Sequence, residues 1–295
     1  MADVAQLLDD NIKDIKDYKA NSLWRLTVRR IFRQRSAIFG IVILSFLITV
    51  AVFAPVIAPY APEESLIGQE GVTRRNPPCI HLLGCPEDQP QFIMGLDGNA
   101  RDLFTRILYG ARVSLYVGLL TVSIAVTLGT TLGAIAGYAG GWLDNLIMRI
   151  MDVVLAFPFF LLAIAIVFVL GPGLINAMLA IAIVSTPSYA RVVRSSVLSI
   201  READYVEASR ALGASSFQIL FGRLLPNALP PLIVLATLGI ATAILDTAAL
   251  SFLGLGAQEP MAEWGTMLGR ERNQIFSSPH LVLIPGFAIS ITVLA

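Results

Sequence analysis

Long apolar runs constrain this sequence more than any other feature. The hydrocarbon core of a bilayer is about 30 Å thick, and a helix crosses it with about 20 mainly apolar residues. Five clear runs and a shorter sixth lie along the chain: Ala37–Pro59, Val113–Tyr138, Ile147–Leu170, Leu174–Tyr189, Ala228–Leu253 and Leu281–Ala295. The sequence therefore predicts an all-α integral membrane protein with six transmembrane helices.

The composition agrees with a lipid environment. Of the 295 residues, 56% are hydrophobic and only 14% are charged, against roughly 25% charged in an ordinary soluble domain. The formal net charge is +0, so no general basic field indicates a nucleic-acid partner. The polar first 20 residues lack the apolar core of a signal peptide, and we expect the first apolar run to remain as an anchor.

Small residues and prolines shape individual runs. Gly129, Gly133 and Gly137 are spaced by four residues, a pattern that permits close contact between helices. Pro158 interrupts the third run and predicts a kink. The sixth run has 15 residues, short of a full span, so we expect the sequence to end inside a helix.

The distribution of Lys and Arg predicts the orientation. Eight cations precede the first run, which places the N-terminus in the cytoplasm. Alternation then puts the segment 190–227, with its five arginines, on the same side. The expected organisation is a cytoplasmic segment 1–36 with a basic interfacial helix at 23–35, a first transmembrane helix 37–59, an extracytoplasmic loop 60–110, and a membrane core 111–295 with a cytoplasmic loop at about 196–227.

The two cysteines and two histidines predict little chemistry. Cys79 and Cys85 are too few for a disulfide framework or a cysteine-based zinc site. If their loop faces an oxidising exterior they can form a bridge; otherwise they are two unpaired thiols. His81 and His280 lie in separate segments without metal-ligand spacing, so no metal site is predicted.

The cytoplasmic segment carries the most specific pattern. Residues 204–212 read as a short amphipathic helix that Gly213 ends, and residues 216–226 read as a second one. We expect two short helices that meet at a bend and protrude from the membrane.

The residues of this bend resemble the EAA loop of permeases from ATP-binding-cassette (ABC) importers. The matching residues are Glu207, Ala208, Ser209, Gly213, Leu225 and Pro226. Ser209 departs from the pattern, where a second alanine is usual, and so does Arg223, where many families have isoleucine. The stretches 101–115 and 248–268 are similar to the peptide and nickel subgroup of these importers.

The resemblance implies a type I permease fold in a prokaryotic plasma membrane and the import of di- or oligopeptides. It also implies four partners: a homologous second permease, two cytoplasmic ATPase subunits and an extracytoplasmic substrate-binding protein. The EAA residues would contact the ATPase. The binding protein would dock on the loops 60–110 and 254–280, the latter with Glu259, Glu263 and Trp264.

No phosphate-binding motif of the form G-x-x-x-x-G-K-[ST] occurs in the sequence. ATP and Mg²⁺ are therefore expected on the partner ATPase subunits. We expect a transport subunit without an ATPase site or a cofactor of its own.

Asp246 is an acidic residue inside the fifth run. Such a side chain is costly in a membrane and usually faces a bundle interior or an aqueous path. Asp246 is thus a candidate for contact with cargo, and the alternative is a structural pair with a polar group on a neighbouring helix. Arg149 and Asp152, at the entrance of the third run, are expected to pair with each other.

The sequence also has to be compared with the patterns that other functions require. Import of nickel chelates or glutathione is compatible with the same subgroup. A secondary transporter that works without ATP would commonly show inverted repeats and several intramembrane charges, and neither is clear here. A membrane-anchored enzyme would need converging nucleophiles and bases in the loop 60–110, and Cys79, His81 and Cys85 alone do not make such a set.

Overall fold

The computed structural model of the chain describes residues 34–86 and 90–295. The basic segment predicted to lie along the membrane surface falls mostly outside these residues. The chain divides into two compact units, Met1–Phe46 with Ala295, and Leu47–Leu294. The first unit contributes the start of the first helix, and the second contains every feature discussed below.

The described residues form a helical protein with two isolated β-bridges, Cys79–Phe92 and Leu96–Asp102. Short 3₁₀ turns occur at His81–Leu83 and Arg272–Gln274. The α-helices, in chain order, are α1 Arg35–Ile57, α2 Leu103–Ala139, α3 Gly141–Leu155, α4 Phe159–Leu170, α5 Leu174–Arg201, α6 Asp204–Ala211, α7 Ser216–Phe252, α8 Trp264–Glu271 and α9 His280–Leu294.

Among the described residues, α1, α2, α5 and α7 are long and apolar enough to cross a membrane. Helices α3 and α4 meet at 94° across a short break, and together they can form a fifth span. Helix α9 is apolar but has 15 residues. The all-helical membrane fold is confirmed, whereas the number of six spans stays a prediction.

Two boundaries differ from those expected. The kink predicted at Pro158 is a sharp break rather than a bend. Helix α5 does not end at Tyr189 but continues to Arg201. In this extension Arg191 and Arg194, which interrupt its hydropathy, pair with acidic residues on α3.

Helix α5 lies at the centre of the bundle and packs against α2, α3, α4 and α7. Its contact with α2 runs along the predicted glycine face. A Cβ added at Gly129 would lie 2.5 Å from the Tyr189 Cβ. One added at Gly133 would overlap the Ala190 carbonyl, and one added at Gly137 would lie 3.0 Å from the Arg194 carbonyl oxygen. The three glycines therefore let two backbones touch.

The two ends of the bundle are built differently. We call the end formed by residues 60–102 and 254–280 the loop end. The opposite end carries a protrusion, the knob, formed by residues 203–224. Helices α2, α5 and α7 run from one end to the other.

A buried arginine fastens the loop end. Arg106, on the first turn of α2, is 1% exposed. Its guanidinium donates to the carbonyl oxygens of Pro62 at 2.9 Å, Pro260 at 3.2 Å and Met261 at 3.3 Å. One side chain thus joins both loops to the helix and satisfies three backbone acceptors away from water.

Ion pairs connect the two loops further. The Glu271 carboxylate accepts from the Arg75 Nε at 2.9 Å and from the Gly98 N–H at 3.1 Å. Arg101 pairs with Glu259 at 3.0 Å. Glu271 and Arg101 are shielded from solvent, so removal of their partners leaves unpaired charges in a low-dielectric site.

Burial excludes two residues predicted to dock an external partner. Glu263 and Trp264 are 3% and 1% exposed. Glu263 caps α8 by accepting from the N–H groups of Gly265 and Thr266, and burial raises the pKa of its carboxyl group. The Trp264 indole donates to the Ile107 carbonyl oxygen at 3.1 Å. That part of the docking prediction is wrong, because both side chains hold α8 in place.

Gly133→Ala should lower the stability of the purified protein. The added methyl group overlaps the α5 backbone, and overpacking of this kind costs about 1–3 kcal/mol. Gly222→Ala is the matched control, since a Cβ there meets nothing within 4 Å. The measurement is the melting temperature in detergent, followed by size-exclusion chromatography. Equal melting temperatures for the two variants would contradict the close contact.

Arg106→Met should destabilise the loop end, because three partly buried carbonyl groups and the nearby Asp97 carboxylate would lose their partner. The expected cost is about 3 kcal/mol. Arg112→Met, at an exposed position of the same helix, should change stability little. Protease sensitivity of the loops and the melting temperature report the difference. Equal melting temperatures for Arg106→Met and Arg112→Met would refute the role of Arg106 in fastening the loop end.

Candidate functional site

The knob begins with the short helix α6. Asp204 and Glu207 lie in its first turn and Arg210 in its last, so each charge complements the helix dipole. Glu207 and Ala208 are exposed. The two residues that resemble the start of the EAA pattern therefore face outward from the protein.

Gly213 ends this helix. Its φ angle is +87°, in the left-handed region that glycine adopts without strain. The Gly213 N–H donates to the Arg210 carbonyl at 3.0 Å, and the Ala214 N–H donates to the Ser209 carbonyl at 3.1 Å, as at other glycine-terminated helices. A Cβ at Gly213 would meet nothing within 4 Å. The requirement for glycine is thus conformational and not steric.

The second short helix predicted for the knob does not exist as a separate element. Ser215 starts α7 with a capping box in which its side chain and that of Gln218 bond reciprocally to backbone N–H groups. The helix then passes through a π-helical turn, Leu220–Leu224, and continues to Phe252. The Leu225 N–H donates to the Leu220 carbonyl five residues earlier, and this wider turn precedes Pro226, which has no N–H to donate.

The knob is fastened to the bundle through apolar contacts. Val206 is fully buried and shares a cluster with Val197 of α5 and with Ile219 and Leu224 of α7. The Asn227 side chain also donates to the Tyr205 hydroxyl at 3.4 Å. Sequence reasoning missed Val206. The available signal was its place as the one large aliphatic residue of α6.

Large apolar side chains remain uncovered on the knob. Leu212, Phe217 and Phe221 are 89%, 69% and 52% exposed, and the two phenylalanine rings lie 4.4 Å apart. Together they form an apolar patch.

Lipid does not cover this patch if the span begins at Ala228. Phe221 precedes Ala228 by seven residues, which is about 10 Å along a helix. An exposed apolar patch outside the bilayer indicates a protein interface.

The remaining EAA residues lie where the knob meets α7. Ser209 is half-buried, and its hydroxyl donates to the Tyr205 carbonyl at 2.7 Å. Leu225 is half-buried and Pro226 exposed, both in the second turn of α7 or just beyond it. The structure therefore brings all six residues to one end of the bundle, with Glu207 and Ala208 foremost.

Ion pairs also stabilise this end. Arg194 of α5 binds Asp144 of α3 through two hydrogen bonds, at 2.5 and 2.6 Å. Arg191 pairs with Asp152 at 2.7 Å. The predicted pair between Arg149 and Asp152 is therefore wrong, because α5 extends far enough to supply Arg191 to Asp152.

Asp246 lies half-buried in α7, six residues before its end. Within the part of the chain that the structure describes, its carboxylate has no hydrogen-bond or ion-pair partner. The alternative of a structural pair within this chain thus finds no support.

The two cysteines are joined in the structure. The disulfide Cys79–Cys85 spans a Cα–Cα distance of 5.4 Å. The Cys79 N–H and carbonyl also bond to Phe92 at 2.8 and 2.9 Å. The bridge closes a small turn at the loop end.

The sequence matches two family descriptions. Residues 129–295 match the "Binding-protein-dependent transport system inner membrane component". Residues 22–78 match the "N-terminal TM domain of oligopeptide transport permease C".

Several relatives cover most of the chain. The dipeptide transport system permease protein DppC of Alkalihalophilus pseudofirmus is 49% identical over 94% of this chain and 86% of its own length. The di/tripeptide permease DppC of Pseudomonas aeruginosa is 45% identical over 89% and 84%. The glutathione transport system permease protein GsiD of Escherichia coli O6:K15:H31 is 42% identical over 95% and 88%.

A solved structure shares the fold. A chain from inward-facing conformations of the MetNI methionine ABC transporter aligns with a TM-score of 0.50 and 22% identity. The alignment covers 64% of this chain and 96% of the other. The family matches and the relatives show that this chain belongs to the family of inner membrane components of binding-protein-dependent transport systems and is a permease of the DppC type.

Proposed function

We propose that this chain is the membrane-spanning permease subunit of an ABC importer for di- or oligopeptides. The observation that carries the proposal is the knob: a rigid, partly apolar protrusion, fastened to two long spans and bare on its outer surface. Relatives of 49% and 45% identity that are named for dipeptide and di/tripeptide transport support the cargo class.

The complete importer would contain a homologous second permease, two ATPase subunits and an external substrate-binding protein. ATP and Mg²⁺ would bind on the ATPase subunits, and this chain would contribute no ATPase site or cofactor. It would lie in a prokaryotic plasma membrane with its N-terminus and the knob in the cytoplasm. The loop end would face outward, which suits a disulfide.

The knob would convert movement of the ATPase into movement of the spans. Glu207 and Ala208 would contact an ATPase cleft, and the patch of Leu212, Phe217 and Phe221 would be covered by the same subunit. Because Val206 and Asn227 connect the knob to α5 and α7, a displacement of the ATPase would rotate these spans as one body. Cargo would then pass along a path between the permeases, in contact with Asp246.

A second cargo has one observation in its favour. Glutathione permeases are 42% identical over nearly the whole chain. Glutathione is itself a tripeptide, so the same permease chemistry would serve both. The peptide assignment is preferred because the dipeptide permease is the more similar of these relatives.

Phe217→Ser should release the ATPase subunits from the complex purified from native membranes. Phe217 is exposed on the knob, so the fold should persist while the interface loses a large apolar contact, at a cost of about 2 kcal/mol or more. Trp142→Ser, at an exposed aromatic residue of α3 near the same end, is the matched control. The ratio of ATPase to permease after affinity purification is the measurement. An undiminished ratio for Phe217→Ser would show that the patch is not the interface.

Gly213→Val should separate ATP hydrolysis from transport. A β-branched side chain at a φ of +87° costs about 1–2 kcal/mol, and the knob can avoid the strain only by changing its angle. Peptide uptake should fall about 5- to 30-fold, whereas ATP hydrolysis should fall less. Gly171→Val, which imposes a similar strain at a φ of +89° outside the knob, serves as control, and proteoliposome assays measure both rates. A parallel loss of both activities, with ATPase still bound, would contradict a coupling role.

A further inference from the structure

A cavity of about 230 Å³ lies beside the break between α3 and α4. Phe157 and Phe159 line it at the break, and α5 and α7 close its other sides. Four hydroxyl-bearing residues line it: Ser185, Ser188 and Tyr189 of α5, and Thr242 of α7. Polar side chains thus converge within an otherwise apolar part of the bundle.

The cavity lies near the middle of the membrane. Ser188 follows the start of α5 by 14 residues, and Thr242 precedes the end of α7 by ten. At 1.5 Å per residue these positions are about 21 and 15 Å from the loop end. Helix α4, about 18 Å long by the same measure, begins at the cavity. All three distances are close to half of a 30 Å bilayer core.

The backbone at the break favours a hydrated cavity. Residues 156–158 are not helical, and Pro158 has no N–H group. Interrupted backbone at membrane depth is tolerated where it is buried in protein or lines an aqueous space. The hydroxyl groups of Ser185 and Ser188 have no hydrogen-bond partner among the described residues. Water would satisfy them, and the volume holds about seven molecules at ~30 Å³ each.

The hydroxyl groups of the lining, together with a carboxylate that lies just beyond it, favour a positively charged hydrogen-bond donor. Asp246 is one turn beyond Thr242 on the same face of α7, and its carboxylate is unpaired among the described residues. The Thr242 hydroxyl donates to the Gly239 carbonyl at 3.0 Å, which leaves its oxygen free to accept. At 230 Å³ the cavity is smaller than the ~300–1,000 Å³ sites of whole ligands. It therefore fits one end of a peptide.

We propose that this cavity receives the amino-terminal end of the peptide during its passage, with Ser185, Ser188 and Thr242 as hydrogen-bonding groups and Asp246 as the counter-charge to the ammonium. The proposal rests on the proposed function and names where cargo touches this chain. The contacts only replace water around the ammonium group, so no proton is transferred.

Substituted cysteines test the cavity in the complete importer, reconstituted in proteoliposomes with its binding protein. Both native cysteines are bonded to each other, so an introduced cysteine is the only free thiol of the chain. Ser188→Cys and Thr242→Cys should react with a cationic, water-soluble methanethiosulfonate at least tenfold faster than Ile183→Cys. Ile183 is exposed on the same helix and does not line the cavity. Excess trialanine with ATP should slow both reactions.

A second measurement isolates the charge. Asp246→Asn, combined with Ser188→Cys, should reduce the rate for the cationic reagent several-fold but not the rate for a neutral reagent of similar size. In the otherwise native chain, Asp246→Asn should raise the KM for trialanine uptake. Equal loss of reactivity toward both reagents would overturn the role of Asp246.

The remaining outcomes are distinct. Reaction only with a lipid-soluble maleimide would show that acyl chains fill the cavity. Reaction that trialanine does not slow would show that water, but not cargo, enters the cavity. Either result overturns the proposal. Trialanine uptake and ATPase association by the native chain test the proposed function independently. Intact uptake with unreactive cysteines rejects the cavity alone, whereas an intact complex without uptake of any peptide rejects the proposed function.

Discussion

The backbone contact between α2 and α5 is the constraint on which the other features depend. Where lipid surrounds a protein, apolar burial gives helices little reason to associate, and close packing must supply the attraction. Gly129, Gly133 and Gly137 allow that packing by leaving room for the α5 backbone. Helix α5 in turn positions α3 through its arginines, closes one wall of the cavity and leads into the knob. A shift at the glycine face would therefore move both candidate sites.

The same device recurs at the loop end. Gly265 and Gly269 lie on α8 with the spacing of the α2 glycines, and a Cβ at either would overlap backbone atoms of α7. The pair of Arg75 with Glu271, whose carboxylate is buried, then fastens the surrounding loops. At the knob end, Leu212, Phe217 and Phe221 form the exposed apolar patch.

Sequence patterns gave the features that depend on local chemistry. The apolar runs, the glycine face of α2 and the terminating role of Gly213 all follow from residue type and spacing. The features that depend on distant partners were not accessible. The extension of α5 brings Arg191 and Arg194 to Asp152 and Asp144 of another helix, whereas hydropathy alone ended the apolar run at Tyr189. Burial of Glu263 and Trp264 likewise depends on the path of the loops. The exposure of Phe217 and Phe221 was likewise not accessible, because it depends on which side chains of the same helical face other helices cover.

The length of α5 gives it the properties of a lever. Its 28 residues extend over about 42 Å, and its start is bound to the loop end, where the Gly173 N–H donates to the Leu255 carbonyl oxygen at 3.1 Å. Ser188, at the wall of the cavity, lies about halfway along. With that start as the fulcrum, a displacement of the knob would reach the cavity at about half its size, with the force correspondingly doubled. A stroke of several ångströms at the ATPase would thus become a shorter and stronger movement in the middle of the membrane, where hydrogen bonds to cargo have to be broken.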